Sequence, residues 1–329
     1  MNINYFPKVE LHLHLDCSLS YHFVRQLLPS ISLAQYRKKF IAPKSCGDLS
    51  TYLSKALPAI ELLQTREHLH MAVLDLFEQL KRDAVVYAEI RFAPLEHTRG
   101  GLTADSVVKL VENSIASAQK ESGITARLIL CTLRHYPKKL SDQLADLCIA
   151  YKDSNVVALD IAGDEKAFGL KNHISAFERV QNEGIYCTAH AGEACGCQSV
   201  EETLDLLRPG RIGHGVRSIE SQATMERLKR DNIHLEICPT SNLLTGIYSS
   251  YKEHPVAQLL QSGVSLGINT DGRTISDVNL NQEYQYLEQG HDWGKKEILQ
   301  ANIEACKHAF IPDAMKSELL KRWFDKDSL

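Results

Sequence analysis

The chain has 329 residues, 44% of them hydrophobic and 24% charged, with 37 Lys and Arg against 41 Asp and Glu for a formal net charge of −4. This is the balance of an ordinary globular protein. It lacks the clustered basic face of a dedicated nucleic-acid binder, so nucleic acid is not an expected partner. No run of 18 apolar residues occurs and the opening MNINYFPKVELHLHLD carries no long apolar stretch, so neither a membrane-spanning helix nor a secretory signal is read and a cytoplasmic location is expected.

Eight short runs rich in Val, Ile, Leu and Ala, bounded by Gly, Pro or Asn, predict fully buried parallel strands at residues 9–15, 86–93, 126–133, 156–162, 185–191, 211–215, 233–238 and 264–270. Between most of them lie stretches of helical period, as at 103–120, 167–182 and 199–207, with Thr103, Ser141 and Ser199 available as N-caps. Eight β/α units close naturally as a (β/α)8 TIM barrel, an α/β fold. The first interval is too long for one helix. Residues 21–80 hold three or four helical patterns, which predicts a helical insertion over the barrel mouth after strand 1. No G-x-G-x-x-G or G-x-x-x-x-G-K-[ST] is present to favour an open doubly wound sheet. With no linker or repeat, the expectation is one domain over residues 1–329.

Nine cysteines, with Cys131, Cys187 and Cys238 inside apolar runs, read as reduced thiols rather than a disulfide framework. Cys195-x-Cys197 has no second cysteine pair to complete a metal site and reads as a loop with two thiols.

In a barrel the C-terminal strand ends face the active site. Those ends here carry His12, His14 and Asp16 on the first strand, Asp160 and Gly163 on the fourth, His190 and Glu193 on the fifth, His214 on the sixth, Thr240–Asn242 on the seventh and Asp271 on the eighth. His12-x-His14 places two imidazoles on one strand face, since side chains alternate with period two. His190 and Asp271 complete a four-ligand N/O set suited to one Zn²⁺ per chain, with a place left for water. A hydrolytic site also needs groups that give and take protons. Glu193, three residues past His190, and His214, between two glycines, fit those roles.

The segments ELHLHLD, CTLRH, LDIAGDE, HAGE, RIGHG, CPTSN and NTD, in this order and at strand ends, resemble the adenosine deaminase family of the amidohydrolase superfamily. The resemblance runs from about Lys8 to about Tyr284. It implies a single-zinc barrel that hydrolyses the 6-amino group of a purine to a 6-oxo group and ammonia, a purine-salvage reaction. It makes His12, His14, His190 and Asp271 the zinc ligands, Asp271 counting also among the catalytic residues. It makes Glu193 the proton donor to purine N1, and His214 the group that deprotonates or orients the attacking water. It also sets the Gly163 backbone against purine N3 and the Asp16 carboxylate on a ribose hydroxyl, and Asp16 in a place where adenine and aminodeoxyfutalosine deaminases tend to show Glu leans toward a nucleoside.

The chain departs from the family pattern twice. HLDC stands where HLDG is usual, putting the Cys17 side chain beside the ribose site. Gly272 follows Asp271 where the family usually has a second aspartate bonding purine N7, so that contact is absent, with Arg273 and Asp277 the nearest replacements. The leading expectation is a deaminase of adenosine and 2′-deoxyadenosine with a small-molecule nucleoside as partner. The alternatives are another 6-substituted purine (adenine, an N6-alkyl adenine or nucleotide, aminodeoxyfutalosine) or a catalytically silent binding protein on the same barrel. Oligomeric state is not legible.

Overall fold

The computed structural model describes residues 3–44 and 46–324. Eight parallel strands run in sequence order, β1 Lys8–His14, β2 Val85–Phe92, β3 Thr125–Leu133, β4 Val156–Ala162, β5 Tyr186–Ala191, β6 Arg211–His214, β7 His234–Ile237 and β8 Leu266–Ile268. Each lies within two residues of an apolar run read from the sequence, because strands covered on both faces are apolar over most of their length. Helices alternate with them, and the result is a nearly closed (β/α)8 barrel.

β8 is short, and a side chain substitutes for the missing ladder at the seam. Asn269 Oδ1 accepts from the backbone N–H of Leu11 at 2.7 Å and of His12 at 3.0 Å, while its Nδ2 donates to Gly267 O at 3.2 Å. Above it Asp271 N donates to His12 O at 3.0 Å and His14 N donates to Asp271 O at 2.9 Å. Asn269→Ala would leave two buried N–H groups without an acceptor, a cost of about 2–4 kcal/mol. The expected result is a lower urea midpoint with an unchanged m value; an unchanged midpoint would mean that the backbone relaxes to close the seam by itself.

The barrel interior is filled by ion pairs below the strand ends. Arg91 donates to Asp160 Oδ2 at 2.9 Å and Glu236 Oε2 at 2.7 Å, and Arg211 donates to Glu236 Oε1 at 2.7 Å and Glu89 Oε2 at 2.5 Å. All five side chains are buried. Buried charges persist only when paired, and here the pairing fixes Glu236 and Asp160 directly beneath the imidazoles described below. Pairing of β4 with β5 is confined to Ala158↔Tyr186 and Leu159↔Cys187. Beyond it the Arg134 guanidinium donates to His190 O at 2.9 Å, and Arg134 N donates to Ala162 O at 2.8 Å.

Among the described residues the stretch between β1 and β2 holds five α-helices, Tyr21–Leu27, Leu33–Phe40, Leu49–Leu53, Leu57–Leu62 and Arg66–Arg82. The insertion therefore lies where the sequence places it, and its third and fourth helices line the cavity over the strand ends. Two expected caps are corrected. Thr103 caps Ala104–Ser122 through Ser106 N, but the helix read after Ser141 begins a turn earlier, at Lys138 after Pro137, leaving Ser141 buried inside it. Ser199 lies within Cys197–Leu206, and its hydroxyl is taken by the Glu165 carboxylate at 2.5 Å. A tertiary acceptor thus outcompetes the local cap. The 167–182 helix is shorter than read, forming at Ile174–Asn182.

Candidate active site

Strand ends β1, β5, β6 and β8 bring four imidazoles and a carboxylate together. His14 Nε2 lies 3.3 Å from Asp271 Oδ1 and 3.3 Å from His190 Nε2, and His12 Nε2 lies 3.5 Å from Asp271 Oδ1. One donor atom each from His12, His190, His214 and Asp271 falls within 4.8 Å of all the others. Close approach needs the glycine before His214, because a Cβ on Gly213 would sit 2.9 Å from His12 Cε1. His214 and Asp271 both take left-handed backbone conformations with φ of 60°, a strain of about 1–3 kcal/mol each that residues with a Cβ hold only where the surrounding structure imposes it.

Hydrogen bonds assign the ring nitrogens. His12 Nδ1 donates to Glu236 Oε2 at 2.8 Å and His190 Nδ1 donates to Asp160 Oδ1 at 3.2 Å, so each ring turns the lone pair of its Nε2 toward the cluster. This is how carboxylates orient metal-binding histidines. His12 Nε2 is buried and has no hydrogen-bond partner. Burial and Arg91 act to lower the pKa of His12, yet the carboxylates of Asp271 and Glu236 outweigh them and raise it, a field that favours a cation beside this ring. Burial lowers the other imidazoles, His14 to about 3, His190 below its ordinary value and His214 well below it. Burial opposes ionisation of Asp271, but the surrounding imidazoles, His12 first, hold its carboxyl well below the ordinary value. Three imidazoles whose charging burial disfavours, a carboxylate held ionised and the His12 Nε2 without a hydrogen bond together suit a divalent cation.

A relay sets His214 differently. The backbone N–H of Val256 donates to His254 Nδ1 at 3.2 Å, His254 Nε2 then donates to Asn242 Oδ1 at 3.2 Å, and Asn242 Nδ2 donates to His214 Nδ1 at 3.1 Å. Since a backbone N–H can only donate, the whole chain of bonds follows, and neutral His214 carries its proton on Nε2. That nitrogen points toward Glu193, 3.8 Å from its Oε2.

Glu193 sits on a loop held by Glu165, whose carboxylate accepts from the backbone N–H of Gly192, Glu193, Ala194 and Cys195 at 2.7–3.1 Å. Burial, then the negative charge of Asp271 and Glu165, push the Glu193 carboxyl well above the usual range. The protonated form of this carboxyl is thereby favoured. At the far side Asp16 Oδ2 accepts from Ala93 N at 3.3 Å and faces His97 Nε2 at 3.4 Å. Burial would raise its pKa, but His97 and the Ala93 N–H lower it, so it remains a carboxylate.

Asp16, Gly163, Glu193, His14, His190, His214 and Asp271 all face one cavity of about 390 Å³, roofed by apolar residues of the insertion such as Leu53, Leu57 and Ile60. The site residues read from the sequence thus come together, His12 lying behind the cavity wall. Glu165, Glu236, Tyr52, His97 and His254 join the site only through the tertiary fold. The segment LDIAGDE contained Glu165, but nothing local marked it as the acceptor for a loop 27 residues on. Arg273 is buried on Glu10 at 2.5 Å and Asp83 at 2.7 Å, and Asp277 is exposed. Neither lines the cavity, so both are withdrawn as replacements for the second aspartate.

A parallel (β/α)8 barrel with histidines and a carboxylate gathered at its C-terminal strand ends is the architecture of amidohydrolase-type enzymes. Among solved structures, adenine deaminase from Arthrobacter aurescens superposes with a TM-score of 0.88 at 24% identity, covering 96% of this chain and 97% of its own. The Arabidopsis N6-mAMP deaminase gives 0.87 at 24% identity over 99% of both chains. The adenosine deaminase of Clostridium acetobutylicum is 34% identical over 323 residues, 96% of each chain. The family model described as adenosine deaminase matches residues 7–326, and the chain belongs to the adenosine deaminase family. It is a hydrolase of that purine-directed type.

Proposed function

We propose that this protein hydrolyses adenosine and 2′-deoxyadenosine to inosine and 2′-deoxyinosine with release of ammonia, using one Zn²⁺. The observation that carries the reading is the buried Glu193 carboxyl, its pKa pushed up by burial, standing beside the imidazole–Asp271 cluster with the Asp16 carboxylate across the same cavity.

His12, His14 and His190 through nitrogen and Asp271 through oxygen would hold the ion. His14 is preferred to His214 as the remaining imidazole because His214 Nδ1 is engaged by Asn242 and its Nε2 bears hydrogen, leaving no lone pair to give. Zn²⁺ held there supplies a Lewis acid that lowers the pKa of water toward about 7. Glu193 gives its proton to purine N1, which breaks ring conjugation and makes C6 electrophilic. His214 donates from Nε2 to the attacking water oxygen and holds it against C6. The C–O bond forms there and the C6–N bond breaks. Over a turnover the hydrogens of the water replace the proton that Glu193 gave and complete the ammonia. Asp16 accepts from a ribose hydroxyl, and the Gly163 backbone, at φ 107° on the cavity wall, faces the pyrimidine edge at N3.

A second reading, deamination of adenine or an N6-alkylated nucleotide, is favoured by one feature, the altered corner at Cys17 and Gly272. An absorbance assay over adenosine, 2′-deoxyadenosine, adenine and N6-methyl-AMP separates the two. The nucleosides are expected to turn over fastest. Turnover of adenine or N6-methyl-AMP without adenosine moves the assignment to the second reading, and no turnover of any with Zn²⁺ supplied rejects both in favour of a binding protein.

A further inference from the structure

The two departures from the family motif are in contact. A Cβ placed on Gly272 would lie 3.0 Å from Cys17 Cβ and 3.3 Å from the Tyr52 hydroxyl, the first well inside the roughly 3.5–4.0 Å of an ordinary carbon contact. Cys17 on the loop after β1 and Tyr52 on the insertion helix Leu49–Leu53 therefore fill the space into which a side chain at 272 would grow. Cys17, Tyr52 and Gly272 all line the cavity. The loops that carry Cys17 and Gly272 are joined by the bond from Thr274 N to Cys17 O at 2.9 Å, so the corner is fixed rather than loose.

Tyr52 brings into this corner a hydroxyl that the insertion helix, otherwise presenting Leu49 and Leu53 to the cavity, would lack. The hydroxyl lies 2.8 Å from Ser276 Oγ and 3.2 Å from Asp271 Oδ2. The second distance is long for an O–H···O bond, whose usual value is about 2.7–2.8 Å. With Ser276 donating to the phenol oxygen, the phenol hydrogen is free to leave that weak bond for a better acceptor in the cavity. We propose that the Tyr52 hydroxyl is the hydrogen-bond donor to N7 of the bound purine, taking over from a different element of the fold the contact that Gly272 cannot make. N7 only accepts. A phenol offers its hydrogen to it directly, whereas a carboxylate at position 272 must first be protonated. The inference rests on the purine reading above and gives the insertion a part in recognising the base.

The test uses binding of the reaction product and its 7-deaza analogue to the zinc-loaded protein by calorimetry, which keeps catalysis out of the measurement. Unmodified protein is expected to bind inosine about tenfold to a hundredfold more tightly than 7-deazainosine, the range of one satisfied hydrogen bond to a buried group. Tyr52→Phe keeps the ring and should erase that ratio while leaving 7-deazainosine affinity and zinc content unchanged. Equal binding of the two ligands by the unmodified protein overturns the inference. So does a Tyr52→Phe variant that weakens both ligands equally, since Tyr52 would then act only through Asp271. Binding of neither ligand by the unmodified protein is a different failure, that of the purine reading itself, and it removes this inference with it.

Discussion

Glu193→Gln lowers kcat at least about 100-fold, the range of a lost general acid, while zinc content and far-ultraviolet circular dichroism stay those of the unmodified protein. Glutamine keeps the shape and the neutral state in which Glu193 is held by burial and by the charges of Asp271 and Glu165, but it has no proton to give to N1. The four backbone N–H groups of the loop bond to Glu165 rather than to Glu193, so the loop should keep its path. The pH profile gives an independent check. Because the folded-state pKa of Glu193 is raised, activity of the unmodified enzyme should be lost as pH rises through that value, and this limb should be missing from the residual activity of the variant. The same shift favours folding at low pH, a contribution that fades as pH climbs from the unfolded value of about 4.3 to the folded one. Glu193→Gln should therefore be at least as stable as the unmodified protein in mild alkali. Near-normal turnover by the variant would assign N1 protonation to another group.

Chelation is expected to abolish activity, with Zn²⁺ restoring it and elemental analysis returning one zinc per chain in freshly purified active protein. The buried Nε2 of His12 makes no hydrogen bond and lies 3.5 Å from Asp271 Oδ1, and the Asp271 carboxylate stands among imidazoles with its Oδ2 accepting from Ser241 at 2.8 Å and Tyr52 at 3.2 Å. An ion bound only by the folded form adds stability by mass action, so the chelated protein should also melt at a lower temperature, by an amount that depends on free zinc. His12→Ala should mimic chelation, and added zinc should not rescue it. Active protein free of transition metal would reject the cluster as a metal centre and the mechanism with it.

The strands were legible in the sequence because a parallel barrel strand is covered on both faces and reads as a near-continuous apolar run, interrupted here by the paired charges of the interior and the histidines of the site. Polar residues at the ends of such runs then stand out, and the gathering of His12, His14, His190, His214 and Asp271 could be read from strand ends alone. The long interval before β2 likewise revealed the insertion, since one crossover needs only one helix. What the sequence left undecided are pairings between residues far apart in the chain, which no local period encodes. Glu236 and Asp160 fix the ring nitrogens of His12 and His190 only because Arg91 and Arg211 hold those carboxylates under the strand ends. The tautomer of His214 is set from the backbone of Val256 through two side chains. Ser199 reads as a helix cap until folding brings Glu165 within reach of its hydroxyl. Cys17 and Gly272 look like unrelated departures at opposite ends of the sequence, and only closure of β8 onto β1 places them in one corner beneath Tyr52, where the volume of one side chain excludes the other.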